Sequence, residues 1–464
     1  TVSSTTAQTF LGVGGSGAWW PHDLYEFPDD VRANLSAMLF DDSGLGISSY
    51  RWNIGGGGVD VTNPVRAPET FYVSSGVYNW SADPQGTFWL QEANSYGVTI
   101  TGFANSAPAA MTSNDANCGG SFVDGTQDEY GTYLGDVLLH FIDDGVNIQH
   151  ISPMNEPDDS FSSCDQEGME VEPDQRAEVV SGLYDALVAR NLTDTVGIIV
   201  DESSSLSLAS SEYGEWLPDA VDMVSAIVHH TYDFPSDSAY ESYVETTRST
   251  YDKQTWMSEI CCSLGDANGT GRGWSEGYDP TITNALMWAG MVFQSFIIAQ
   301  EPHYDFWTLV SNALGCSPLD DDTCATTANS EGWTDGVIYY DEDYATNGNY
   351  ELYVVKHFWT YKHFGNFVKP GTERHLLTST SALANTTLVV SSNTTTSYYV
   401  ISMNPTSDDE TLELTFPESV CATSAYRTSA DEDFADIDAA TVTDTEAWDL
   451  PLQSLSLSTY VFSQ

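Results

Sequence analysis

The chain has 464 residues, 41% of them hydrophobic and 12% aromatic, which is ample for packing and, by length, exceeds what a single core usually holds. Its 68 Asp and Glu against 13 Lys and Arg leave a formal charge of −55. That field repels polyphosphates and anionic lipid, which disfavours nucleic-acid and membrane-surface roles and leaves either a salt-loving source or an extracellular enzyme working at low pH.

The predicted elements alternate from Phe10 to Phe367. Strand candidates are Phe10–Gly14, Ile47–Asn53, Val98–Ala104, Ile148–Met154, Val196–Asp201, Ala226–His230, Thr255–Glu259 and Tyr304–Leu309. Amphipathic helices fall between them at Pro28–Phe40, Thr87–Tyr96, Glu129–Asp143, Pro173–Arg190, Ala239–Thr250, Thr283–Gln300 and Tyr350–Phe364. Strands that alternate with helices in this way predict an α/β fold, a (β/α)8 barrel over residues 10–368. No GxGxxG opens a helix, which counts against a dinucleotide fold. The Gly12–Gly17 and Gly55–Gly58 runs lack the Lys-Ser/Thr of a phosphate cradle. After Lys369-Pro370-Gly371 the texture becomes Ser/Thr-rich and β-branched, as in Thr387–Val390, Tyr398–Met403, Thr411–Phe416 and Ser456–Phe462. Residues 369–464 therefore read as an antiparallel β-sandwich, completed by a strand from residues 1–9. The apolar helix Thr283–Gln300 contains Asn, Gln and Ser and falls short of a membrane span.

Asn-X-Ser/Thr sequons at Asn34, Asn79, Asn191, Asn268, Asn385 and Asn393 favour a secreted, glycosylated eukaryotic chain. With no initiator Met or signal-peptide core, the sequence reads as a mature form. Seven cysteines without a CxxC pattern suggest disulfides with one thiol left over. Cys316 and Cys324 flank a short segment and are expected to pair, whereas adjacent Cys261 and Cys262 would face opposite ways on a strand and are expected to have different fates.

In a barrel, residues at the C-terminal ends of strands converge on one mouth. Strand four runs into Asn155-Glu156-Pro157, where Pro157 stops the ladder and leaves Glu156 at the tip; strand seven ends in Ser258-Glu259. Two carboxyls across a mouth are what glycosidic cleavage needs, one protonated to release the leaving group and one ionised to attack. Other strand ends supply sugar-binding residue types: Trp19 and Trp20, Arg51, Asn105, Asn155, His230 with Tyr232, and Trp307. Indole faces stack on pyranose rings, and an Arg beside a carboxylate keeps it ionised. Trp20, Trp307 and His229 are equally readable as core residues. No HExxH or His-x-His motif calls for a metal, and no cofactor is expected.

These motifs resemble glycoside hydrolase family 30, of the clan of retaining (β/α)8 glycosidases. The likeness rests on Asn155-Glu156-Pro157, Ser258-Glu259, the opening Gly-Val-Gly-Gly-Ser-Gly-Ala-Trp-Trp, and Arg51-Trp52-Asn53-Ile54-Gly55. It implies Glu156 as acid/base, Glu259 as nucleophile and Asn155 as partner of the sugar 2-hydroxyl. Within the family, Ala18-Trp19-Trp20 and Tyr50–Gly57 look most like fungal endo-β-1,6-galactanases, which act on arabinogalactan side chains. Xylanases and β-1,6-glucanases of the family, endo- or exo-acting, stay open, as does a non-catalytic carbohydrate-binding protein on a glycosidase scaffold. A monomer acting on a polysaccharide is the expectation.

Overall fold

The structure is a computed structural model that describes residues 1–379, 381–392, 394, 396–443 and 447–464. The Asn393 sequon lies outside the described residues. Eight strands close into a barrel in chain order: β1 Gly12–Gly17, β2 Ser49–Asn53, β3 Thr99–Phe103, β4 Ile148–Ser152, β5 Gly197–Ser203, β6 Ala226–His230, β7 Gln254–Glu259 and β8 His303–Phe306. Pairing is parallel, with Ser49↔Thr99 running to Asn53↔Phe103 between β2 and β3, and Ala226↔Gln254 running to His230↔Glu259 between β6 and β7. Every residue of β1, β2 and β6 is buried, the pattern of strands covered on both faces.

By contacts the chain divides into two compact units, Gly15–Ser36 with Ser49–Ile260, and Thr1–Gly14 with Ala37–Ser48 and Cys261–Gln464. The former holds strands β2 to β7 with helices Pro84–Ser95, Gln127–Asp143, Pro173–Ala189, Leu206–Ala220 and Asp237–Tyr251. Close packing explains a small residue at the end of β1: a Cβ on Gly17 would lie 1.9 Å from the Tyr50 hydroxyl. The Gly55–Gly58 loop is braced from below, because buried Glu167 accepts hydrogen bonds from the N–H groups of Gly56 (3.2 Å) and Gly58 (2.8 Å). Cys118–Cys164 staples the same region.

The latter unit holds a seven-stranded antiparallel sheet in the order Val2–Thr9, Glu373–Leu377, Thr387–Ser392, Ser397–Asn404, Ser456–Ser463, Cys421–Thr428, Ala435–Ile437. A second sheet, Glu410–Leu414, Trp448–Leu452 and Thr441–Val442, packs on it through Val389, Val400, Leu412, Leu450, Tyr460 and Phe462. This is a β-sandwich.

Three expectations change. The helix expected over Tyr350–Phe364 begins at Lys356; before it Leu352–Val354 pairs antiparallel with Ile338–Tyr340, because Tyr353 and Val354 suit a strand better than a helix. The helix expected over Thr283–Gln300 is α-helical over Ile282–Phe293 and ends in a π turn, Gln294–Ile298. Cys261 and Cys262 share one disulfide rather than separate fates. Strand β7 stops at Glu259 and Cys262 has a φ of +67°, so the alternation that would hold the two thiols apart does not reach them. Cys316–Cys324 is paired and Cys421 is an exposed free thiol. No helix among the described residues is long and apolar enough to cross a membrane.

Candidate active site

Glu156 lies just beyond β4 with a φ of +44°, a region that non-glycine residues rarely adopt and that costs on the order of 1–3 kcal/mol. Two backbone bonds hold it there: its N–H donates to the Glu202 carbonyl at 3.0 Å, and Val171 N–H donates to the Pro157 carbonyl at 2.9 Å. Glu259 is the last residue of β7. One carboxylate oxygen of each, together with a ring nitrogen of His230, lies within 4.8 Å of the others.

Arg51, at the centre of β2 and wholly buried, organises the cluster. Its Nη1 donates to Glu259 Oε2 at 2.5 Å and to Ser16 Oγ at 3.1 Å, its Nη2 to Asn155 Oδ1 at 2.5 Å, and its Nε to Glu202 Oε1 at 3.2 Å. The other oxygen of Glu259 accepts from the Tyr232 hydroxyl at 2.9 Å. Asn155, with its carbonyl oxygen taken by Arg51, has its amide N–H groups left to donate. His230 Nδ1 is 2.9 Å from Glu156 Oε1 and 3.8 Å from Glu259 Oε1, and its Nε2 is 4.0 Å from Glu202.

The electrostatics separate these groups. Burial pushes the Glu156 carboxyl up, and with repulsion from Glu259 and Asp158 this outweighs the bond from His230, leaving it at about 7. Burial opposes charge on His230, but Glu259, Glu156 and Glu202 together hold the imidazolium up to about 10. For Glu202, burial is overcome by Arg51 and His230, and its carboxyl falls to about 2. The three donors of Glu156, His230 and Glu259 have a spacing that suits a cation, yet Arg51 and a protonated His230 already supply the positive charge those carboxylates need.

The expected site residues do not all gather. Arg51, Asn155, Glu156, His230, Tyr232 and Glu259 form one network. Trp19 lies partly exposed beyond β1, with the Arg66 guanidinium 3.8 Å above its ring. Trp20 has no exposed face to offer a sugar: it is 0% accessible, packs on Trp89 at 5.0 Å and donates its indole N–H to the Ser16 carbonyl. Asn105 is buried just past β3, and Trp307 is buried at the end of β8. His229 packs edge-on against Tyr240 and Tyr243, away from the network. Sequence reasoning passed over Glu202 and Ser16. Glu202 had a signal, since Asp201-Glu202 follows an Ile-Ile-Val strand and carboxylates at strand ends were the feature sought. Ser16 had none.

A closed parallel barrel that joins two carboxylates through an arginine and a histidine at its strand ends has the build of a sugar-cleaving hydrolase. The chain belongs to O-glycosyl hydrolase family 30, whose family model matches residues 3–314. It is an O-glycosyl hydrolase acting on carbohydrate. Among solved structures it is similar to a conserved exported protein from Bacteroides fragilis, at 17% identity and a TM-score of 0.81 over 99% of both chains. It is also similar to the catalytic domain of a family 30 xylanase C from Talaromyces cellulolyticus, at 20% identity and a TM-score of 0.73 over 100% of this chain and 99% of that one. A third likeness is to an endo-β1,6-glucanase, at 15% identity and a TM-score of 0.72 over 100% and 94% of the two chains. No curated protein sequence matches the chain.

Proposed function

We propose that the protein is a secreted retaining endo-glycosidase with Glu156 as acid/base and Glu259 as nucleophile, and that its substrate is β-1,6-galactan of arabinogalactan side chains. One observation carries the mechanism: an oxygen of each carboxylate lies within 4.8 Å of the other, which favours the separation of about 5–5.5 Å of retaining enzymes over the 6.5–9.5 Å that leaves room for an attacking water. The unequal surroundings support this division of roles. Glu156, raised to about 7, holds a proton at acid pH and gives it to the glycosidic oxygen as that bond breaks. Glu259, on Arg51 and Tyr232, offers a carboxylate to the anomeric carbon, forming a glycosyl ester. Ionised Glu156 then takes a proton from the water that cleaves the ester, and both groups return to their starting state. Asn155, oriented by Arg51, donates to the sugar 2-hydroxyl.

Secretion is supported by three disulfides and by exposed sequons such as Asn79. The galactan assignment rests on the motifs at Ala18–Trp20 and Tyr50–Gly57. The similar structures named for xylanase and β-1,6-glucanase activity set the rivals. A panel of β-1,6-galactan trimmed of arabinose, glucuronoxylan and β-1,6-glucan, with products sized and their first anomer read by NMR, tests both parts. Galactan should be cleaved internally with retention; faster xylan or glucan cleavage replaces the substrate, and an inverted first product overturns the mechanism. Glu259→Ala should abolish turnover. Glu156→Ala should keep activity on aryl glycosides with good leaving groups and be rescued by azide to a β-glycosyl azide.

A further inference from the structure

In the segments that follow β7 and β8, two tryptophans come together. Trp274 is 58% exposed and its ring centroid lies 5.5 Å from that of partly buried Trp333. An indole left this open is unusual, and here the backbone beneath it is not loose. The disulfide-bonded pair Cys261–Cys262 lies under both: Ser275 N–H, next to Trp274, donates to the Cys262 carbonyl at 3.0 Å, and Cys262 N–H donates to the carbonyl of Thr334, next to Trp333, at 3.2 Å. Further bonds tighten the frame. Gly273 N–H donates to Ser263 Oγ at 3.0 Å, Gly277 N–H to the Gly332 carbonyl at 3.0 Å, and Trp333 N–H to the Ala313 carbonyl at 2.9 Å, while Gly277 and Trp333 form a parallel bridge. Only two residues of chain separate Glu259 from Cys262.

We infer that Trp274 and Trp333 form a sugar-stacking platform for a glycosyl unit of the polysaccharide, and that the Cys261–Cys262 ring holds it. The inference rests on reading the chain as a polysaccharide hydrolase. A bond between neighbouring cysteines closes a small ring around their peptide; the Cys262 N–H lies in that ring and the Cys262 carbonyl follows directly from it, so both present oriented partners to the two tryptophan-bearing segments. Segments that follow strand C-termini are where a (β/α)8 enzyme places its substrate contacts. A pre-set indole loses little entropy on stacking and matches the apolar C–H face of a pyranose. The charge of −55 disfavours anionic occupants, and a neutral glycan is the partner a glycoside hydrolase meets. Such a platform favours cleavage within a long chain over trimming from its end.

The test is native electrophoresis in gels cast with β-1,6-galactan, glucuronoxylan or β-1,6-glucan, which reads binding whether or not the chain is cleaved, alongside initial rates on chains of increasing length. At least one polysaccharide should retard the wild type. Trp274→Ala and Trp333→Ala should lose most of that retardation and raise KM for long chains about tenfold, the scale of one lost aromatic contact, with kcat moving much less. The Cys261→Ala/Cys262→Ala variant should behave like them. Because Trp274 is exposed, its replacement leaves the core intact and stays informative if the cysteine variant misfolds. Wild-type retardation in the tryptophan variants, or none in the wild type, overturns the platform; a Trp274-dependent dimer in sedimentation would make the patch a contact between copies. Retardation with no cleavage of any polysaccharide would instead fault the proposed function.

Discussion

Buried Glu167 and Asp83 and partly exposed Glu156 are carboxyls whose proton affinities bind the stability of this enzyme to pH. Burial raises Glu167 to about 8 against the N–H groups of the Gly55–Gly58 loop, and raises Asp83 to about 7 with help from Glu69. Glu156 stands at about 7. All three bind protons more tightly folded than unfolded, so their stabilisation is complete below the ordinary carboxylate range and is lost as pH climbs through 7 to 8, at about 1.4 kcal/mol per pKa unit for each group. Glu202 has the opposite sign: at about 2 its contribution is present above the ordinary range and is lost only in strong acid. Calorimetry should therefore show a higher Tm at pH 5 than at pH 8, and Glu167→Gln should flatten that difference. If Tm rises toward pH 8, the burial of these protons is wrong. Glu202→Gln should lower kcat about tenfold or more while the fold persists, because Arg51 and His230 lose the charge that aligns them, and it should shift the pH profile as His230 becomes easier to deprotonate. Glu202→Asp should recover part of the rate; unchanged kinetics in both variants would remove it from the network. The clustering of Glu156 and Glu259 was legible because each Glu ends a recognisable β-run. Glu202 carried the same strand-end signal, but the strand candidate stops one residue short at Asp201, while β5 continues to Ser203.

At the scale of elements, hydrophobic alternation located all eight barrel strands to within a few residues, and the departures have local causes. Strand β1 is Gly-Val-Gly-Gly-Ser-Gly, in which Val13 alone has β propensity; its small residues answer to neighbours, as at Gly17 against Tyr50. Gly17→Ala should cost about 1–3 kcal/mol through overpacking, measurable as a lower denaturant midpoint, and Tyr50→Phe in the same chain should not restore it, because the ring carbons Cζ and Cε2 would still lie 2.0 and 2.3 Å from the new methyl. The adjacent cysteines could not be paired from sequence, since period-2 reasoning assumes a strand that ends before them. Trp274 could not be read as exposed, because exposure is decided by the bonds from Cys262, Ser263 and Gly332 that shape the loop.

For the whole molecule, composition gave the acidity but left its meaning divided between acid and salt adaptation. The buried carboxyls tip that balance toward acid. Protonation relieves self-repulsion among 68 acidic groups and also satisfies Glu167 and Asp83, whereas salt screens only the surface. In a matrix of pH against salt, activity should peak below neutrality without added salt; a neutral optimum that needs molar salt would defeat this. Peptide mapping without reductant should yield three cross-links and one alkylatable thiol at Cys421. The strand Val2–Thr9 has a consequence for biogenesis. Its partner is Glu373–Leu377, with Val2 opposite Leu377 and Thr9 opposite Glu373, so a ribosome adding about 5–20 residues per second keeps this edge waiting for roughly 20 to 75 s. Throughout that interval the nascent enzyme carries an unmatched β-ribbon, which makes chaperone protection during translation, rather than refolding of the finished chain, the step most sensitive to expression rate.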